Sequence, residues 1–283
     1  MLDWIYDLLG TMLSWFSNIF FGKYAFALFL YALLFKLLFL PMAIKQQKNQ
    51  IVMARVAPKM EKIQAKYRGK TDEASMQKQQ QEIMELQRKE GFRPLSGCLT
   101  MLLQLPVITF LYKVIRGPLS YICKLTGEEI IKIKDIITAA GMTPALDEIG
   151  LVANIQELGV DVFAGIDLTK LPDFTLFGAN LARTPSFSEF SILWLIPILA
   201  AALTWLSSYL MRKWNNVSTA PAGNGEAQEK LPMNFMEIMM PLMTLWMTFS
   251  FSGMLGIYWI YQSILGILQS FILSKALPIP KRT

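Results

Sequence analysis

Five apolar runs, at 23–44, 95–115, 190–211, 233–251 and 255–274, alternate with charged or Gly/Pro-rich segments. A run of about 20 residues makes a helix of about 30 Å, which matches the hydrocarbon core of a bilayer. With 53% of its 283 residues hydrophobic and only 17% charged, the chain is too apolar to suit a soluble domain of this size. The pattern predicts an all-α, polytopic membrane protein with five transmembrane helices.

The segments between the runs have their own character. Residues 45–94 are polar, with sparse apolar residues (Val52, Val56, Met60, Ile63, Tyr67, then Met76, Ile83, Leu86) at helical spacing on either side of Arg68-Gly69-Lys70-Thr71-Asp72. Two narrow stripes around a short turn predict a helical hairpin, with Thr71 or Asp72 capping its second helix and Gly91 ending it. Residues 116–189 hold two amphipathic stretches, 128–140 and 144–158, followed by a Gly, Pro and Asp-rich stretch. Residues 1–22 read as an amphipathic helix, with Leu2, Ile5, Leu9, Met12, Phe16 and Ile19 on one side. Trp4 and Trp15 suit it to a membrane interface, and packing against the protein core is the competing expectation. Asp3 and Asp7 stand where a secretory signal would carry Lys or Arg.

Orientation follows from the basic residues. The hairpin segment carries 12 Lys and Arg against 6 Asp and Glu, whereas 113–189 carries 7 against 10. The loop at 212–232 and the tail at 275–283 add further basic residues. The hairpin, that loop and the tail are therefore expected in the cytoplasm, and the N-terminal helix and 116–189 outside. Cys98 and Cys123 then lie on opposite sides of the membrane, so no disulfide is expected. The absence of histidine removes the commonest general base and metal ligand, and neither a metal nor a cofactor is expected. Gly69-Lys70-Thr71 resembles the end of a phosphate loop, but Gln64 stands where its first glycine belongs.

Lys36 is the residue that most demands an explanation. It stands in Leu34-Phe35-Lys36-Leu37-Leu38, about 12 residues or roughly 18 Å from the outer end of the first run. An ammonium at such depth costs about 2.5–3.5 kcal/mol on insertion scales. Snorkelling spans only about half the distance to the inner interface without thinning of the bilayer, which leaves a polar cavity as the stronger expectation. Gln104, Thr204, Ser208, Thr244, Thr248 and Gln262 are the polar residues available to line it, and Gln104 is the hardest to leave in lipid.

Several phrases occur in a definite order: Lys36-Leu37-Leu38-Phe39-Leu40-Pro41 with Lys45-Gln46-Gln47; Ala57-Pro58 with Ile63-Gln64 and Lys66-Tyr67-Arg68-Gly69; Gly91 with Pro94-Leu95-Ser96-Gly97-Cys98-Leu99 and Gln104-Leu105-Pro106; and Gly253-Met254-Leu255-Gly256-Ile257-Tyr258-Trp259. In these the chain resembles the YidC/Oxa membrane protein insertases. The resemblance covers roughly 20–116 and 191–275. It implies five core spans around a hydrophilic groove, open to cytoplasm and lipid and closed toward the outside. It makes Lys36 the groove's basic residue, where the family more often has Arg. Thr100 departs from a proline common in the third phrase.

The groove residues then expected are Lys36, Gln104, Thr204, Tyr258, Trp259 and Gln262. Lys59, Lys62, Lys66, Arg68 and Lys70 become candidate contacts on the hairpin. The resemblance implies a non-enzymatic insertase of the bacterial cytoplasmic membrane, with nascent membrane-protein clients as its substrates. Ribosome, protein translocon and anionic lipid are implied as partners, and DNA is not. A small-solute transporter or channel also accommodates Lys36, but neither an internal repeat nor a pair of discontinuous helices is evident.

Overall fold

The computed structural model describes residues 3–20, 22–70, 72–92, 96–186, 191–215 and 234–279, with the side chains of 3, 96–104, 212, 215 and 234–237 excepted. Eleven α-helices appear among them. α1 (Asp3–Ile19) lies against α2 (Tyr24–Leu38) and α5. α3 (Leu40–Lys66) and α4 (Glu73–Lys89) form a hairpin, and α5 (Ser96–Arg116) follows it. α6 (Pro118–Tyr121), α7 (Gly127–Ala139) and α8 (Glu148–Leu158) build the segment after α5. α9 (Leu195–Asn215), α10 (Asn234–Ser250) and α11 (Gly253–Ala276) complete the chain.

Two helical stretches among the described residues, Ile192–Met211 and Gly253–Ala276, are long and apolar enough to cross a membrane alone. The bent pair α2–α3 makes a third, and Ile238–Ser250 is apolar but shorter. The first expected span, 23–44, is not one straight rod. It breaks at Phe39 with a bend of 56°, and the helix beyond continues into the hairpin without a boundary at position 45. Pro41, in the first turn of α3, explains the break. It has no N–H for the Leu37 carbonyl, and its ring crowds that turn. The all-α expectation takes one amendment: β1 (Thr175–Leu176) and β2 (Ala179–Asn180) pair antiparallel in the Gly/Pro/Asp-rich stretch.

α3 and α4 pack against each other. Val56, Met60 and Tyr67 are buried, while Met76, Ile83 and Leu86 on α4 are half-buried. The Asp72 carboxylate accepts a hydrogen bond from the Ser75 N–H and caps α4. Tyr67 Oη donates to Glu82 at 2.8 Å, and Lys66 reaches the same carboxylate at 2.6 Å. Lys59 pairs with Glu90 at the base.

At the opposite end, α1, α6–α8 and the ribbon pack into one body with the ends of the long helices. Thr126 and Glu129 cap α7 reciprocally, and Asp147 caps α8. Ile133, Ile137, Leu151, Val152 and Ile155 are fully buried there. Arg116, at the end of α5, pairs with Asp147 at 2.8 Å. Lys23 binds Asp173 at 2.5 Å, and Lys124 binds Asp7 at 2.5 Å. The α11 N–H groups of Gly253 and Met254 donate to the Arg183 and Leu181 carbonyls. α1 buries Tyr6, Leu9, Leu13 and Phe16 and exposes Trp4, Leu8, Trp15 and Ile19 on another face. The expected packing face is thus present, rotated slightly from the stripe read in the sequence, and both tryptophans point away from it.

Candidate functional site

The break at Phe39 matters because it parts α3 from α11 just below Lys36. The space between them is a cavity of about 540 Å³, walled by α2, α3, α5, α9 and α11. Along α11 it runs from Tyr258 to Leu273, about 22 Å at 1.5 Å per residue. Tyr258 stands at one end, the Lys36 ammonium lies beside Gly266 near the middle, and Gln46, Gln47, Gln50, Ser270 and Leu273 stand at the hairpin end.

Five of the six expected groove residues line this cavity: Lys36, Thr204, Tyr258, Trp259 and Gln262. Gln104 lies on α5, and its side chain is outside the described residues. Thr244 and Thr248 are elsewhere. They are buried in α10 and donate to the carbonyls of Met240 and Thr244 on their own helix, the usual way a hydroxyl is accommodated in a membrane helix. Thr204 and Ser208 line the cavity and make the same kind of bond, to Ala200 and Thr204.

The further polar lining residues extend the expected Gln262, Thr204 and Ser208 into stripes, and it is only as stripes that they are visible. On α11, Gln262, Ser263, Gly266, Gln269 and Ser270 recur at steps of three and four, and on α9 Thr204, Ser207, Ser208 and Met211 do the same. A helical period in polar residues inside an apolar run is the signal that marks them. On α3, Gln46, Gln47 and Gln50 follow the same rule. Gln47 donates to the Leu277 carbonyl at 3.2 Å and ties α3 to the end of α11. The Gln50 amide oxygen is buried with no hydrogen-bond partner among the described residues.

The electrostatics are one-sided. Lys36 is the only charged residue lining the cavity among those described, and its ammonium makes neither an ion pair nor a hydrogen bond among them. Nothing there neutralises it, so the cavity presents a net positive charge in a wall of amides and hydroxyls. Beyond Lys36 the helices close. Leu28, Tyr31, Leu111, Met254 and Tyr258 are at most 1% exposed and form a packed layer between the cavity and the α1/α6–α8 end. The Tyr31 and Tyr258 rings meet edge to face at 6.2 Å, and Gln262 donates to Tyr258 Oη at 2.8 Å.

The hairpin candidates divide. Lys59 and Lys66 are engaged in the ion pairs that hold α3 to α4. Lys62, Arg68 and Lys70 are exposed, with Lys70 5.4 Å from the Tyr67 ring centre. Cys123 is buried, and burial, aided by Asp167 and Glu148, pushes its thiol up to about 12, so it is inert at neutral pH. Cys98 has a side chain outside the described residues.

Residues 15–280 match the family described as 60Kd inner membrane protein. Among curated relatives, the chain is 27% identical over 273 residues to the membrane protein insertase YidC of Oceanobacillus iheyensis, covering 94% of this chain and 80% of the relative. It is 28% identical over 259 residues to that of Clostridium perfringens, covering 92% and 81%. With the membrane protein insertase YidC 2 of Listeria innocua it shares 26% over 267 residues, covering 94% and 69%. The motif order in the sequence, the apolar helices and a match over nearly the whole chain agree: the protein is a bacterial membrane protein that belongs to the 60Kd inner membrane protein, or YidC/Oxa, family.

Proposed function

We propose that this chain is a membrane protein insertase that receives segments of nascent membrane proteins in the cavity around Lys36 and releases their helices into the bilayer. The observation that carries the reading is an ammonium without a counter-ion among the described residues, in a polar cavity that ends at a packed layer. Moving a polar or acidic segment alone through hydrocarbon is expensive. A hydrated groove reaching partway across shortens the apolar distance left, and a fixed positive charge within it attracts carboxylates. The client's apolar helix leaves sideways past Tyr258 and Trp259, and its burial in lipid drives the step. No bond is made or broken.

The hairpin end faces the cytoplasm in this reading, and the α1/α6–α8 end faces outward, as the basic residues favour. Trp4 and Trp15 on the exposed face of α1 suit the outer headgroup region. Lys62, Arg68 and Lys70 are among the exposed hairpin cations that a ribosome, a translocon or anionic lipid would meet. A solute transporter needs passage past Lys36, and the layer of Leu28, Tyr31, Leu111, Met254 and Tyr258 opposes it.

The test is reconstitution. Liposomes holding this protein alone are expected to integrate a one-span client without nucleotide. Solute flux with no integration would overturn the insertase reading and favour the transporter.

A further inference from the structure

Gly266 sits in the interior of α11, where glycine costs about 1 kcal/mol relative to alanine. Among the described residues no packing helix accounts for it, and a Cβ built on Gly266 meets one group within 4 Å, the Lys36 ammonium nitrogen at 3.5 Å. The contrast with Gly256 on the same helix is plain, since a Cβ there would come within 2.3 Å of Ile196 in α9. Gly256 is a helix-packing glycine, whereas Gly266 faces the groove and its charge. The positions three and four residues to either side of Gly266 are Gln262, Ser263, Gln269 and Ser270, and all four line the cavity. The ammonium thus rests over bare backbone ringed by two amides and two hydroxyls, with no acidic residue of the described chain to occupy the place.

We propose that Gly266 is a specificity-determining residue: its missing side chain is the seat in which a client carboxylate meets Lys36, with donors from the surrounding Gln and Ser residues. This rests on the insertase reading above and deepens it. A carboxylate in that seat accepts one charge-assisted bond from Lys36 and others from its rim. A branched side chain at 266 fills the seat, pushes the ammonium aside and removes the preference for acidic segments. It leaves the apolar exit past Trp259 in place.

The experiment compares two one-span clients, identical except for an acidic or a neutral outer segment, integrated by Gly266→Ala, Gly266→Val and Gly266→Leu variants in liposomes. The acidic-to-neutral integration ratio is expected to fall in that order, by roughly tenfold at Leu, the equivalent of losing one hydrogen bond to a charged group. An unchanged ratio, or equal loss for both clients, overturns the role of Gly266. A Cβ at 266 makes only ordinary contact with the ammonium, so Ala is expected nearest to wild type; the branched Val variant reports should Leu not fold, and a ratio at wild-type level there counts against the seat. Failure of the unmutated protein to integrate either client would instead strike at the insertase reading.

Discussion

Lys36 shows how one residue can carry more information than its neighbours. In an apolar run a lysine is costly, and it persists only with water, a polar wall or an escape to the interface. Here the wall is present, and the charge has no partner among the described residues. In the proposed insertase reading, the charge itself, rather than the side-chain shape, is what the site uses. Lys36→Ala is expected to reduce integration of clients with acidic outer segments by about 10- to 100-fold, the range for a charge-assisted bond. Lys36→Arg keeps the charge and is expected to lose far less, although the planar guanidinium pairs with different geometry. Quantitative integration assays with both variants check this, and equal activity of the two with wild type would remove the charge mechanism. The polar residues around Lys36 were harder to read singly. Thr248 and Thr204 look alike in the sequence, yet Thr248 is buried in α10 and Thr204 faces the groove.

At the scale of elements, the join between α2 and the ribbon is open to a direct test. Asp173 sits beside Lys23, where burial raises its carboxyl but the hydrogen bonds from Lys23 and Thr175 outweigh it and hold it below the ordinary carboxylate value. A depressed carboxyl adds stability above its unfolded-state pKa of about 3.9, and that stability is lost as pH falls through the still lower folded value. Both side chains are more than a third exposed, so the contribution is about 1 kcal/mol or less. Hydrogen exchange of residues 173–181 is therefore expected to be flat from pH 7 to 5, once corrected for intrinsic rates, and to lose protection below pH 4. Asp173→Asn should show the weaker protection already at pH 7; a variant that matched wild type at all pH values would remove the tie.

The hairpin and the break above it are also matters of element design. Narrow stripes at Val56, Met60 and Tyr67 were enough to place α3 and α4, because a two-helix contact needs only one apolar row on each partner. Pro41 has no N–H for the Leu37 carbonyl and disturbs the end of the first run. Its consequence, a bend of 56° that opens the groove, depends on where α11 and α9 lie.

For the whole molecule, two ends of different character meet at one packed layer. The α1/α6–α8 body is held together by close backbone approaches, and Gly10 is the tightest. A Cβ there would lie 2.2 Å from the Tyr121 carbonyl oxygen, which is backbone and cannot swing away. Gly10→Ala is thus expected to push α1 off α6 and destabilise the protein by about 1–3 kcal/mol, as overpacking does. Thermal unfolding in detergent measures this, and a melting temperature at or above wild type would contradict the contact. The layer itself predicts one-sided hydration. A cysteine at position 36, in a chain without native thiols, should react with impermeant reagents from the hairpin side of the membrane and not from the α1 side. Equal labelling from both sides would mean a pore.

The sequence by itself determined local features: long apolar runs, the narrow apolar stripes and capping residues of 45–94, and a proline near the end of the first run. These are local consequences of hydrophobicity, backbone donors and sterics, so neighbouring residues suffice to specify them. The motif order also made the family recognisable. The tertiary structure alone decided which polar residues share a cavity with Lys36, that Gly266 stands beneath its ammonium while Gly256 packs on Ile196, and that Tyr31 and Tyr258 close the space above. These depend on the rotation of each helix about its own axis and on how closely it approaches its neighbours. Contacts between residues from 60 (Gly256 and Ile196) to 230 (Gly266 and Lys36) positions apart set both, and no local pattern encodes them.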